Sequence, residues 1–510
     1  MSGRDERADV RGRVDPVGYD RSRLSVGIVH FGVGNFHRSH QAMYLDRLLR
    51  DPATFDDARG WGICGVGVLP GDAAMRDALA GQGFEYTLVE RHPDGAAPAT
   101  RIGSIIDYLY APEELDAVLE MLATPTTRIV SLTITEGGYN VSDVTGEFDV
   151  LNPAIVADAT PGAAPATVFG IIVAGLRRRR ERGIPPFTIM SCDNIEGNGL
   201  VARDSFTAFA RLIDPDLADW IGREVRFPSS MVDRITPVTT DADRAWLRAG
   251  YTLDGEPVDD AWPVLCEDFV QWVLEDDFLL GRPAWERVGV QLVDDVRPYE
   301  LMKLRLLNAS HQALAYAGLL AGYEFAHEGA SDPVIARYLR AYMDREATPT
   351  LAPVPGVDLG AYKDRLIERF GNPYVRDTLG RLATDVSDRI PKWLVPVIRE
   401  LRDPEAPTAR SVLTAPRAST ALSASIVAGW VRYAQRCIAG DPLPFRDRQE
   451  EAVRAAVARQ ADDPIGFLRA PDWFGDLADD AGFVAEFTAS LAAFSASDDP
   501  RPELERLLAT

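Results

Sequence analysis

The chain reads as an α/β protein in two parts, an N-terminal parallel sheet wrapped by helices and a mostly α-helical C-terminal part. Three observations predict this. The first half alternates short β-branched runs with helical segments, the order that parallel strands and crossover helices require. Its first strand leads into a glycine turn and then a helix. From about residue 298 onward, long amphipathic helical patterns replace the alternation. A length of 510 residues suits more than one core, and we set the expected domains at residues 1–296 and 297–510.

The strands of the first part are expected at residues 25–31, 61–68, 86–90, 128–135 and 187–192. The first runs into Gly32, Val33, Gly34, Asn35, Phe36, His37 and Arg38, followed by a helix over residues 39–49. Strand, glycine turn and helix in that order make a Rossmann-type dinucleotide site. Gly32 and Gly34 allow a tight turn and a close backbone approach to a pyrophosphate, with Asn35 and Phe36 opening the helix whose N-terminus favours the charge. His37 stands where the usual Gly-x-Gly-x-x-Gly pattern has its third glycine. A ribose-binding acid belongs at the end of the second strand, where Asp72 follows Gly71. It arrives later than the usual interval of about 20 residues, which requires a long first helix and a loop through residues 51–60. A carboxylate there binds the ribose diol and repels a 2'-phosphate, favouring NAD over NADP, although Arg76 nearby would suit NADP. The run of arginines at residues 177–180 ends an apolar helix before Gly183, which is ordinary helix-end chemistry.

In the second part helices are expected at residues 299–321, 333–346, 359–370, 375–384, 393–401, 421–437 and 446–459. The first carries the reacting centre. Lys303, Lys363 and Lys392 are the only lysines among 54 basic residues, so a retained lysine points to a task that the permanently charged arginine cannot do. A buried lysine can shed its proton and act as a general base. At about 100° per residue, Asn308 lies roughly 140° and His311 roughly 80° around from Lys303, within one broad face, and the rise to His311 is about 12 Å. Asn308 can donate to a developing alkoxide and His311 can orient a hydroxyl. Glu300, three residues before Lys303, is either its helical ion-pair partner or a proton relay.

Composition narrows the partners. A net charge of -23 and a pI near 4.8 disfavour nucleic acid and anionic membranes, leaving small molecules. Four cysteines lie far apart with no ligand spacing, so neither disulfides nor a metal site is expected. Residues 1–16 lack an apolar signal region, and no run approaches membrane-spanning length, so a cytoplasmic location is expected.

The motifs together resemble the polyol-specific long-chain dehydrogenases. The resemblance rests on the turn from Gly32 to Gln41, the block from Ser131 to Tyr139, Ser191-Cys192-Asp193-Asn194 with Asn198-Gly199, and Met231 to Pro237. It continues through Phe269 to Asp276, the Lys303, Asn308 and His311 helix, and Asp388-Arg389-Ile390-Pro391-Lys392. It implies metal-independent hydride transfer between NAD and a secondary alcohol, interconverting D-mannitol and D-fructose in a cleft between the two domains of a monomer. Lys303 is then the general base, Asn194 and Asn308 the oxyanion site, Asp233 and His311 substrate ligands, and Glu300 part of the proton path. Arg381 and Arg389 would hold the far end of the polyol, and Glu136 would join the cofactor site. Relatives often carry Glu-Asp at the ribose position, where this chain has Gly71-Asp72. Two other readings stay open: a hexuronate reductase acting on fructuronate or tagaturonate, to which Arg381 and Arg389 would supply cations, and a non-catalytic NAD-binding sensor.

Overall fold

The computed structural model describes residues 12–142, 146–403 and 419–509. The chain divides into two compact units, one ending at Arg297 and the other beginning at Pro298.

The first unit is built on a five-stranded sheet in the order Ile105–Tyr110, Gly62–Gly67, Val26–Phe31, Ile129–Leu132 and Thr188–Ser191. Every pairing is parallel. Counted along the chain, its strands stand third, second, first, fourth and fifth, the order of a dinucleotide-binding sheet. Covered on both faces, the central strand can be apolar at nearly every position. Ile28, Val29 and Phe31 are accordingly fully buried.

One expected strand belongs elsewhere. Tyr86–Arg91 pairs antiparallel with Ala99–Ile102 and parallel with Val264–Glu267, inside a separate six-stranded mixed sheet. A β-branched run announces a strand, but its partners come from distant chain that periodicity does not reveal. A third sheet pairs Gln271–Glu275 antiparallel with Ser230–Asp233 and parallel with Gln291–Val293.

The first helix also differs from expectation. It starts earlier, as Asn35–Ser39, and breaks at His40 before continuing as Gln41–Arg50. The His40 ring is wedged among Phe36, Tyr44 and Trp272, and its Nε2 lies 3.1 Å from the Gln271 carbonyl oxygen. That tertiary packing outweighs helical continuity. The arginine run is spent on structure: Arg178 and Arg182 pair with Glu120, while buried Arg179 donates to the carbonyls of Leu122, Thr124 and Thr127.

The second unit is helical among its described residues. Its centre is Ala309–Leu320, packed against Ala421–Ala439 and Leu379–Leu382. Gly318 permits the latter approach, because a Cβ there would meet Leu379 at 2.6 Å. The helix expected over residues 375–384 shrinks to Leu379–Leu382. Its N-terminal half is extended instead, since Thr378 bridges Phe325 and the Asp377 carbonyl accepts from Ala326. The span expected at 393–401 is Val395–Arg402, preceded by Val386–Trp393. The helix expected at 446–459 is Glu450–Asp462. Two further helices, Ala481–Ala496 and Arg501–Ala509, close the unit. Among the described residues no helix is long and apolar enough to cross a membrane.

Candidate active site

In a parallel sheet all strands end on the same edge, and ligands settle there where the strand order reverses. The reversal lies between Val26–Phe31 and Ile129–Leu132. The carboxyl ends of the first, second, fourth and fifth strands carry Gly32 with Gly34, Asp72, Glu136 and Asn194 respectively. Residues separated by more than 160 positions in sequence are thus brought to one edge.

Gly32 is obligatory by two criteria. Its φ is +92°, and a Cβ would fall 2.1 Å from the Thr133 carbonyl oxygen. Gly34 differs: it precedes Asn35–Ser39 in extended backbone, and a Cβ there would meet no protein atom nearer than 3.8 Å. Space is therefore open beside it for a ligand. The Asn35 amide donates to the Pro237 carbonyl and Thr239 hydroxyl at 2.9 and 3.0 Å and accepts from Arg38 at 2.7 Å. Its side chain fastens the turn to the loop after the third sheet's first strand. Phe36 is half-buried and stacks on His40 at 4.8 Å.

His37, in place of a third glycine, solves close packing by stacking its flat ring on His30, with centroids 3.4 Å apart. His30 is hydrogen-bonded to Ser131 on the neighbouring strand and to Thr133 just after it. Burial pulls His30 down to about 3 and drives His37 well below the usual imidazole range, so both rings stay neutral beneath the glycine turn.

Asp72 opens the helix Asp72–Gly81, and its Oδ2 accepts from the backbone N–H groups of Val68 and Leu69, each at 2.8 Å. This folds the carboxylate back against the end of the second strand. Arg76 is bound by Glu113 at 2.6 Å and Asp77 at 2.9 Å, which neutralises the cation that would have suited a 2'-phosphate.

The loop after the fourth strand holds a feature that the sequence reading missed. Thr135 has φ +64° and ψ 168°, a backbone region almost confined to glycine and costing of order 1–3 kcal/mol for other residues. Asp193 secures it: the carboxylate accepts from the N–H groups of Ile134 and Thr135 at 3.1 and 2.8 Å and from the Tyr139 hydroxyl at 2.7 Å. Burial lifts this carboxyl to about 6, with the three hydrogen bonds opposing the rise. Asn198 then ties Asp193 to the third sheet, donating to the carbonyls of Asp193 and Ser230 at 2.9 and 2.7 Å. Asn194, next in the chain, is exposed, and Asp233 is buried at the end of Ser230–Asp233. The only sequence signal for Asp193 was its place beside Asn194.

In the second unit, the helix expected over residues 299–321 is interrupted where Lys303 and Asn308 lie. Arg297–Met302 is α-helical, Lys303–Asn308 is a π turn, and Ala309–Leu320 resumes the α-helix. The Ala309 N–H reaches the Leu304 carbonyl, five residues back. The wider turn brings Asn308 closer to the face of Lys303 than the roughly 140° of a plain α-helix. Lys303, Glu300 and Asn308 are all buried, at 7, 6 and 4 % exposure. Lys363 pairs with Asp344 and Lys392 with Asp388. The turn is braced by Arg305, which donates to the Thr350 carbonyl and to Glu400, and by the Tyr342 hydroxyl on the Arg305 carbonyl at 3.2 Å.

His311 is half-buried one turn further on, its ring 4.8 Å from that of Phe370. Arg389 donates to the Leu382 carbonyl at 3.1 Å, which also accepts from Gln312 at 3.2 Å. Arg389 is thereby tethered to the same carbonyl as the residue after His311. Arg381 is exposed and gripped by both oxygens of Asp377, each contact 2.5 Å. Among the described residues, no group of three or more His, Cys, Asp or Glu could hold a metal ion.

Residues 26–287 match the family model of the mannitol dehydrogenase Rossmann domain, and residues 295–495 that of the mannitol dehydrogenase C-terminal domain. The chain is 42% identical over 481 residues to a mannitol 2-dehydrogenase of Aspergillus fumigatus, covering 93% of this chain and 91% of the relative. It is 43% identical to mannitol dehydrogenase 2 of Saccharomyces cerevisiae, with the same coverage of 93% and 91%. Among solved structures, the ternary complex of Pseudomonas fluorescens mannitol 2-dehydrogenase with NAD and D-mannitol superposes with a TM-score of 0.83 at 43% identity, covering 98% of this chain and 97% of that one. A D-sorbitol dehydrogenase in substrate-free form gives a TM-score of 0.83 at 34% identity, covering 98% and 99%. With both family models matched in order and identities above 40% over nearly the whole chain, the protein belongs to the mannitol dehydrogenase family.

Proposed function

We propose that the chain is an NAD-dependent polyol dehydrogenase that interconverts D-mannitol and D-fructose without a metal ion. The observation that carries the reading is Lys303, a buried lysine on a π turn that also carries buried Asn308. The likeness to a solved mannitol 2-dehydrogenase holding NAD and D-mannitol supports the substrate and the cofactor.

The residues at the sheet edge fit a dinucleotide. Gly34 leaves room for a diphosphate, Asp72 stands at the end of the second strand, where a ribose-binding acid belongs, and the Arg76 cation is already neutralised. When bound, NAD supplies the hydride acceptor. In oxidation, Lys303 as its free amine takes the proton of the C2 hydroxyl while hydride leaves C2, giving the ketone; in reduction the lysine ammonium returns that proton. Asn194 and Asn308 donate to the oxygen as its charge develops. Asp233 and His311 bind neighbouring hydroxyls, Arg381 and Arg389 engage the distal end, and Glu300 passes the proton between Lys303 and water. Asp377 already neutralises Arg381, which favours a neutral polyol over a uronate carboxylate.

Replacing Lys303 with alanine tests the assignment. We expect Lys303→Ala to lower kcat for fructose reduction by about 10²- to 10⁴-fold, the usual reach of general acid–base catalysis, with NADH affinity unchanged in a fluorescence titration. A variant that loses NADH binding, or that keeps its turnover, would show that the lysine is structural.

A further inference from the structure

We propose that Asp193 is a positioning residue for the cofactor: its carboxylate holds Thr135 in a glycine-type backbone conformation and so presents the Glu136–Tyr139 turn at the edge of the sheet. This rests on the NAD reading of that edge and extends it to a residue outside the proposed catalytic and cofactor-binding groups.

Four observations converge. Thr135 is a β-branched residue at φ +64° and ψ 168°, directly after the fourth strand's exit loop and directly before Glu136. Nothing in its own chemistry favours that conformation, so neighbours must impose it. Asp193 is the group that does so, with Oδ1 on the Thr135 N–H and Oδ2 on both the Ile134 N–H and the Tyr139 hydroxyl. These bonds span the turn, fixing its entrance at Ile134 and Thr135 and its exit at Tyr139. The clamp is itself fixed, because the Asp193 carbonyl accepts from Asn198 and the Ser191 hydroxyl lies 2.6 Å from that of Tyr139. Finally, Asp193 adjoins Asn194, so one residue sets the loops after both the fourth and fifth strands. A carboxylate is needed because three donors converge on two oxygens. An asparagine of the same shape would turn an N–H toward at least one of the backbone N–H groups and release the turn.

The test compares Asp193→Asn, Thr135→Gly and the double variant, measuring NADH dissociation constants by fluorescence together with KM for fructose. Asp193→Asn is expected to weaken NADH binding by about tenfold, the loss of a backbone state that costs of order one such factor to hold. KM for fructose should stay close to the wild-type value. Thr135→Gly adopts the same conformation without strain and should bind NADH as the wild type does. Added to Asp193→Asn, it should restore most of the lost affinity, a rescue that a general packing role for Asp193 would not show. If Asp193→Asn does not fold, Tyr139→Phe replaces it: this variant removes one bond of the clamp, should weaken NADH by about threefold, and should likewise be rescued by Thr135→Gly. Unchanged NADH affinity in the Asp193 variant, or a loss that glycine at 135 does not repair, would overturn the inference. Failure of the wild-type chain to bind NADH would overturn the cofactor reading and this inference with it.

Discussion

Gly32 and Gly34 occupy one turn but answer to different constraints. At Gly32 a side chain would strike the Thr133 carbonyl at 2.1 Å, and the backbone already sits at φ +92°. Gly32→Ala should therefore destabilise the fold by about 3 kcal/mol or more in urea denaturation, backbone collision and left-handed strain acting together. At Gly34 the nearest atom would be 3.8 Å away and φ is -107°. Gly34→Ala should leave stability within about 0.5 kcal/mol while weakening NADH, because its methyl group occupies space that the diphosphate needs. Equal effects of the two substitutions on stability would contradict this division of roles. Much of this scale was legible in the sequence, because a glycine turn after a strand carries its own physical explanation. Thr135 was not: no residue type announces a threonine in a glycine conformation, and the Asp193 clamp that imposes it lies 58 positions away.

At the scale of elements, the helix that carries Lys303, Asn308 and His311 was legible and its π turn was not. An extra residue in a turn leaves the apolar pattern almost unchanged, and the bonds that stabilise it come from Thr350, Glu400 and Tyr342, all outside the helix. A second π turn, Met343–Ala347, carries Glu346, which accepts from the N–H groups of Leu422 and Ser423 at 2.8 and 2.7 Å and so caps Ala421–Ala439. Burial nonetheless raises this carboxyl from 4.5 to about 7. Because the folded value lies above the unfolded one, the folded chain binds the extra proton. The associated stability is fully present below pH 4.5 and is lost as pH rises through about 7. Relative to Glu346→Gln, which does not titrate, the wild-type unfolding free energy should fall by about 3 kcal/mol between pH 4 and pH 8. A difference that stays flat across that range, or rises, would contradict the burial account.

Across the whole molecule, two kinds of architecture meet at a boundary next to Pro298, where the sequence changes from alternating strands and helices to helices alone. That change reflects how each unit hides its backbone and apolar surface, and it is visible in periodicity. The partition of the first unit into three sheets was not visible, because strand partners such as Tyr86–Arg91 and Val264–Glu267 are set by pairings across more than 170 residues. Among the proposed catalytic groups, Lys303, Asn308 and His311 were legible together because one helix carries them. Asn194 and Asp233 needed the motif blocks, since each lies on a different strand end. The central claim is tested most directly by following NADH consumption with D-fructose, beside NADPH and beside fructuronate in the same buffer. The account predicts rapid NADH oxidation with fructose and slow reaction with either alternative. Silence with fructose but turnover of fructuronate would contradict the polyol assignment while leaving Lys303 and its π turn at the centre of the chemistry.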